Sequence, residues 1–158
     1  MHNVNDQDPG HLFMVGVPGL ELDDSTRKLI SQDKIHNFIL FRRNVDDKKQ
    51  LQRLCFDLKA ACLERGLPAP LISIDQEGGS VARLSAPFTV FPDQRLLAED
   101  PLPEDKLRDY ASSCARELRE IGVNMNLAPV LDICPRGQDF FMERRCLGNE
   151  PERVAVFG

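Results

Sequence analysis

Apolar residues in this chain fall into short runs, separated by longer segments in which they recur every three or four positions. The runs are Leu12 to Val17 (LFMVGV), Phe38 to Phe41 (FILF), Leu71 to Asp75 (LISID) and Val123 to Val130 (VNMNLAPV). Short apolar runs bounded by glycine, proline and charged residues predict buried strands. Between them the spacing is helical. Asp23 and Asp24 offer an N-cap for a helix through about Asp33, with Leu29 and Ile30 turned inward. Leu51, Leu54, Cys55, Leu58 and Cys62 share one face of a helix over about Asp46 to Arg65, which Gly66 and Pro68 stop. Leu107, Tyr110, Ala111, Cys114, Leu118 and Ile121 do the same over Glu104 to Ile121, with Gly122 at the end. Pro151 opens a last helix at its favoured first position.

Two stretches show neither period. Gly78 to Pro103 carries Pro87, Pro92, Pro101 and Pro103, and Leu131 to Glu150 follows the fourth run. Both are read as long loops, and loops of that length in a compact domain are more often functional than idle.

The alternation gives an α/β fold with a parallel sheet and right-handed crossovers. Two arrangements satisfy it. One is a small doubly wound sheet. The other is the first half, about four βα units, of a TIM-type (β/α)8 barrel, a fold of about 250 residues. The sequence stops at Gly158 inside a helix, which favours the half-barrel. On that reading residues 1–158 are a single partial domain, truncated after the fourth strand.

Composition narrows the function. The net charge of −5, with no basic cluster, argues against nucleic acid or an anionic membrane surface as partner. No apolar run is long enough to span a bilayer, and MHNVNDQDPGH has no signal-peptide pattern. Five cysteines without CxxC spacing, and three histidines all early in the chain, fit reduced thiols in a cytoplasm. They do not suggest a zinc site, and no cofactor is expected.

The chemistry concentrates in Pro70 to Leu84, PLISIDQEGGSVARL. An apolar strand runs into Asp75, Gln76 and Glu77, and then into two glycines that let the backbone turn sharply. Ligands of α/β folds sit at the carboxyl ends of strands. A hydroxyl-rich ligand is therefore expected at Asp75. Asp75 could instead merely cap the turn that follows. Glu77 is read as structural, pairing with Arg83 or a backbone donor. Asp75 with Glu77 or Asp132 could also supply the two carboxylates of a glycosidase, which stand roughly 5–10 Å apart.

IDQEGGSVARL at 74–84 and FPDQRLLAED at 91–100 resemble the N-terminal barrel of family-3 glycoside hydrolases. So do ARELREIGVNMNLAPVLDI at 115–133, RRCLGNEPERVAVFG at 144–158 and FILFRRNVDDKKQLQRL at 38–54. The likeness is greatest to the family's bacterial β-N-acetylhexosaminidases of cell-wall recycling. It implies a glycosidase that releases terminal N-acetylglucosamine. It also implies that Asp75, Arg83 and Arg145 are substrate-binding residues. Two departures stand out. Ser80 replaces a usual second arginine, and Cys146-Leu147 replaces Ser-Phe after Arg145. By the same resemblance the aspartate nucleophile and the histidine acid/base lie beyond Gly158. No catalytic residue is expected within the chain, and no histidine follows His36.

Two function classes stay open: a hexosaminidase chain without its catalytic half, and a non-catalytic carbohydrate-binding or interaction module derived from the family. In either case an N-acetylglucosamine-containing saccharide is the expected partner. Self-association through exposed half-barrel edges is expected as well.

Overall fold

The computed structural model describes residues 9–137 and 140–158. They divide into two compact units. One comprises the chain up to Ile74 together with Leu118–Met125. The other comprises Asp75–Glu117 together with Asn126–Gly158.

The first unit is built on a sheet. Its strands are β1 (Met14–Gly16), β2 (Asn37–Leu40), β3 (Ile72–Ile74) and the first residue of the short β4 (Met125–Asn126), in the order β1-β2-β3-β4. β1 and β2 run parallel, with Val15 opposite Phe38. β2 and β3 run parallel, with Ile39 opposite Ser73. The order follows the chain, and two helices return it between the first three strands. Helix α1 (Asp24–Gln32) begins at Asp23, whose carboxylate accepts the Thr26 amide at 3.0 Å. Helix α2 (Lys48–Glu64) begins at Asp47, which accepts the amides of Lys49 and Gln50 at 2.7 and 2.9 Å. It ends at Gly66, whose φ of 70° few other residues would tolerate. The Leu67 amide then donates to the Cys62 carbonyl and the Gly66 amide to Leu63, which closes the last turn.

The residues expected on the inner face of α2 are buried: Leu51, Leu54, Cys55, Leu58 and Cys62. They are joined in the core by Phe38, Leu40, Ile72 and Ile74. Asn124 extends the sheet with its side chain. Its Oδ1 accepts the Ile72 amide at 2.8 Å, its Nδ2 donates to the Pro70 carbonyl at 2.9 Å, and its own amide donates to the Ile72 carbonyl at 3.1 Å.

The fourth strand is much shorter than the predicted Val123 to Val130. Pro129 has no amide hydrogen to give a ladder, and the extended chain resumes at Val130 as a different strand. That strand, β5 (Val130–Ile133), pairs in parallel with β6 (Cys146–Gly148) in a separate sheet of the second unit. The segment expected to be a loop from Leu131 to Glu150 therefore carries regular structure at both ends. The other expected loop, Gly78 to Pro103, contains α3 (Gln94–Ala98). All three elements are too short for periodicity to declare them. Helix α4 (Pro103–Glu120) and helix α5 (Pro151–Phe157) lie where the sequence predicts helices. In the second unit Ala98, Leu147 and Val154 form a core cluster against Leu107 and Phe157. Phe91 and Tyr110 meet edge to face at 4.9 Å. Among the described residues no helix is long and apolar enough to cross a membrane.

Candidate functional site

All three residues expected to hold a ligand lie in the second unit, and the segment directly after β3 assembles them. Asp75 Oδ2 accepts from Arg83 Nη2 at 2.6 Å. Neither side chain is sealed off: Asp75 is 20% exposed and Arg83 27%. Arg145 is not hydrogen-bonded to Asp75. It forms a two-point pair with Glu77 instead, Nε to Oε2 and Nη2 to Oε1, both at 2.7 Å. Glu77 was expected to pair with Arg83 or a backbone donor, so the structure changes its partner. The reason is the turn. Glu77 and Gly78 both donate their amides to the Val81 carbonyl, which folds the chain back on itself. Arg83 is thereby returned to Asp75, and Glu77 is left for Arg145.

The two glycines are required for that turn. Gly78 and Gly79 have φ of 100° and 53°. A β-carbon on Gly78 would lie 2.5 Å from the Pro92 carbonyl oxygen, and one on Gly79 would strike the Asp93 side chain. Asp93 uses the same carboxylate to accept the Ser80 amide at 3.0 Å.

Gln76 is the residue that the sequence reading passed over. It is 1% exposed and, among the described residues, takes part in six hydrogen bonds. Its side-chain oxygen accepts the amides of Arg83 and Leu84 at 2.9 and 3.0 Å, which fixes the backbone behind the Arg83 guanidinium. Its own amide donates to Asn126 Oδ1, and its carbonyl accepts from Asn126 Nδ2, both at 3.0 Å. The Tyr110 hydroxyl donates to the same carbonyl at 2.7 Å. Burial pushes the Tyr110 phenol well above its ordinary value, so it stays a donor. A glutamine between two acids was the available signal. Buried, its amide can brace a turn, which neither neighbouring carboxylate could do without leaving a charge uncompensated.

The electrostatics tie the two pairs together. The hydrogen bonds to Glu77 hold the Arg145 guanidinium charged, above its ordinary value. Burial opposes this, and the charges of Glu77 and Asp75 add to it. Arg145 also donates to the Met142 sulfur at 2.9 Å, and its guanidinium lies 4.8 Å from the centre of the Phe141 ring. Arg144, next to it in the chain, is exposed. Together with Ser80, Arg95, Phe140, Phe141 and Glu143 it lines an open cleft of about 580 Å³ in the same unit. Asp75 and Arg83 are not among the residues lining that cleft.

Asp132 lies exposed on β5, and His36 is buried with Nδ1 2.9 Å from the Lys34 carbonyl oxygen. Among the described residues no group of three His, Cys, Asp or Glu side chains is placed to hold a metal ion.

A carboxylate that is both braced and partly open, paired with one fixed guanidinium group, is suited to a neutral polyhydroxyl ligand. Residues 5–158 match the model of the glycosyl hydrolase family 3 N-terminal domain, and the chain belongs to that family. Its curated relatives are bacterial β-hexosaminidases. The protein from Pseudomonas aeruginosa is 29% identical over 91% of this chain and 42% of its own length. The protein from Thiobacillus denitrificans is 37% identical over 92% of this chain and 41% of its own length. Among solved structures, a family 3 β-N-acetylglucosaminidase from Paenibacillus superposes with a TM-score of 0.86. It is 37% identical over 96% of this chain and 29% of its own. NagZ from Neisseria gonorrhoeae, solved in complex with N-trifluoroacetyl-D-glucosamine, gives a TM-score of 0.77 at 25% identity over 91% of this chain and 43% of its own. The chain thus spans less than half the length of these relatives.

Proposed function

We propose that these 158 residues form the sugar-holding part of a family 3 β-N-acetylhexosaminidase site, with Asp75, Arg83 and Arg145 binding a terminal N-acetylglucosamine. The observation that carries the reading is the Asp75 carboxylate. Among the described residues it is bonded by Arg83 alone, through Oδ2. Its second oxygen can accept sugar hydroxyls, while Gln76 keeps Arg83 in place. Arg145, held by Glu77, supplies a second fixed donor group. The solved Neisseria relative binds a glucosamine derivative, which supports the same ligand class here. The natural substrates on this reading are peptidoglycan-derived glycosides, met in the cytoplasm.

Orientation alone does not cleave a glycoside. Retaining hydrolysis needs a nucleophile on the anomeric carbon and an acid at the leaving oxygen. On this reading both belong to a part of the family 3 site outside these 158 residues. The 158-residue chain by itself therefore binds sugar without turnover, and the same residues serve the alternative reading as a carbohydrate-binding module. Self-association follows from exposed apolar side chains. In the second unit Leu127, Leu131 and Ile133 are 37%, 58% and 48% exposed along and before β5. A second copy is their expected cover.

The test is a chromogenic N-acetyl-β-glucosaminide assay on the 158-residue chain, run beside a full-length relative. Turnover by the relative alone is the expected result. Turnover by the short chain that disappears in Asp75→Ala and Glu77→Ala would overturn the reading and revive a two-carboxylate mechanism.

A further inference from the structure

Five cysteines are buried in this chain, and two of them are in contact. The Cys134 and Cys146 sulfurs lie 2.9 Å apart, and both side chains are almost wholly removed from solvent. A disulfide has its sulfurs about 2.05 Å apart, so this pair is within about 0.9 Å of bonding distance. Cys55, Cys62 and Cys114 have no such neighbour among the described residues. Cys55 and Cys62 sit on the inner face of α2, and Cys114 lies against the Gln76 carbonyl and Asn126. The two contacting cysteines also occupy a distinctive place. Cys146 opens β6 directly after Arg145. Cys134 directly follows β5, and its amide donates to the Gly148 carbonyl across the pair. Its carbonyl accepts from Arg95 Nη2 at 2.7 Å, while Arg95 Nε donates to Glu143.

We infer that Cys134 and Cys146 form a reversible disulfide that staples β5 to β6 and closes the segment delivering Arg145 to Glu77. The inference stands on the sulfur geometry and does not rest on the glycosidase reading. The oxidant is a low-molecular-weight disulfide such as oxidised glutathione. One cysteine thiolate attacks it, forming a mixed disulfide and releasing one reduced glutathione. The second cysteine then displaces the second glutathione. The two cysteines lose two electrons, and their protons end on the two glutathione thiols. In a reducing compartment the pair rests as thiols and closes when the glutathione pool becomes oxidised. Burial, with Cys134 and Asp132 adding to it, pushes the Cys146 thiol up to about 12. Attack from the closed native state is therefore slow, and the reaction proceeds through opening of the two-stranded sheet.

Peptide mapping tests this directly, because trypsin separates the two cysteines. Cys134 lies on the peptide ending at Arg136, and Cys146 on the one ending at Arg153. The folded 158-residue chain is incubated with oxidised glutathione, blocked with iodoacetamide, digested and analysed by mass spectrometry. The expected product has two fewer alkylatable thiols and a cross-link joining those two peptides, and dithiothreitol reverses it. The oxidised protein should also melt higher than the reduced one, a shift absent in Cys134→Ser. Five alkylatable thiols after oxidation, a lasting glutathione adduct on either cysteine, or a cross-link to Cys55, Cys62 or Cys114 would each overturn the inference. The mapping uses the unmodified sequence, so it decides the matter even where Cys134→Ser fails to fold.

Discussion

Glu77 and Arg145, 68 residues apart in sequence, meet in a two-point ion pair with both contacts at 2.7 Å. The side chains are 4% and 16% exposed, so neither charge can fall back on bulk water if its partner is removed. Breaking a buried pair from one side costs about 3–5 kcal/mol, because an uncompensated charge stays behind. Glu77→Ala and Arg145→Ala should each lose stability in that range. The double variant should lose clearly less than the sum. Urea unfolding of the four proteins in a double-mutant cycle measures it, and simple additivity would show that the pair does not hold the fold.

Asp75→Asn should behave differently. The carboxylate is partly exposed and the amide is nearly isosteric, so the fold should survive. An amide accepts at one oxygen only, and without charge. Hydrogen bonds to a charged group are worth about 1.5–3 kcal/mol, so affinity for N-acetylglucosamine should fall about ten- to a hundred-fold. Calorimetric titration of both proteins gives the ratio. An unchanged affinity would remove Asp75 from the binding site.

The Asp23 cap predicts an acid-side signature. Its carboxyl is lowered from 3.8 to about 2 by the Ser25 and Thr26 side chains and the Thr26 amide. A carboxylate with a depressed folded-state value stabilises the fold fully above its unfolded value. That contribution is lost as pH falls through the folded one. Asp23→Ala should therefore cost about 1 kcal/mol near neutral pH. The gap to the unmodified chain should close as pH drops from 3.8 towards 2. Thermal unfolding across that window checks it. A gap that persists at the acid end would mean that the cap charge is not responsible.

Much of this was legible in the residues, and the exceptions have physical causes. Strong signals carried the first three strands and α1, α2 and α4, and Pro151 marked the start of α5. Asn124 and Asn126 fall inside the run expected as the fourth strand, yet each uses its side-chain amide to bond backbone on a neighbouring segment. Side-chain mimicry of a ladder leaves no periodic trace. Glu77 was legible as structural, but its partner was not. That partner lies in a distant segment, and the Gly78-Gly79 turn chooses between two arginines. Cys134 and Cys146 likewise read as separate loop residues until β5 and β6 pair.

The exposed apolar residues Leu127, Leu131 and Ile133 predict concentration-dependent association of the isolated chain. Light scattering over a hundred-fold dilution should show the apparent mass falling. Leu131→Lys with Ile133→Lys should shift the equilibrium towards monomer. A stable monomer at every concentration would contradict this.

Amide NMR of the labelled 158-residue chain reports whether a sugar lies against Asp75, Arg83 and Arg145. Titration with N-acetylglucosamine should move the backbone signals of Asp75, Gln76, Arg83 and Arg145 together along one binding curve. The same titration of Asp75→Asn should need far more sugar for equal shifts. Shifts absent at these four residues, or an identical curve in Asp75→Asn, would contradict the central claim.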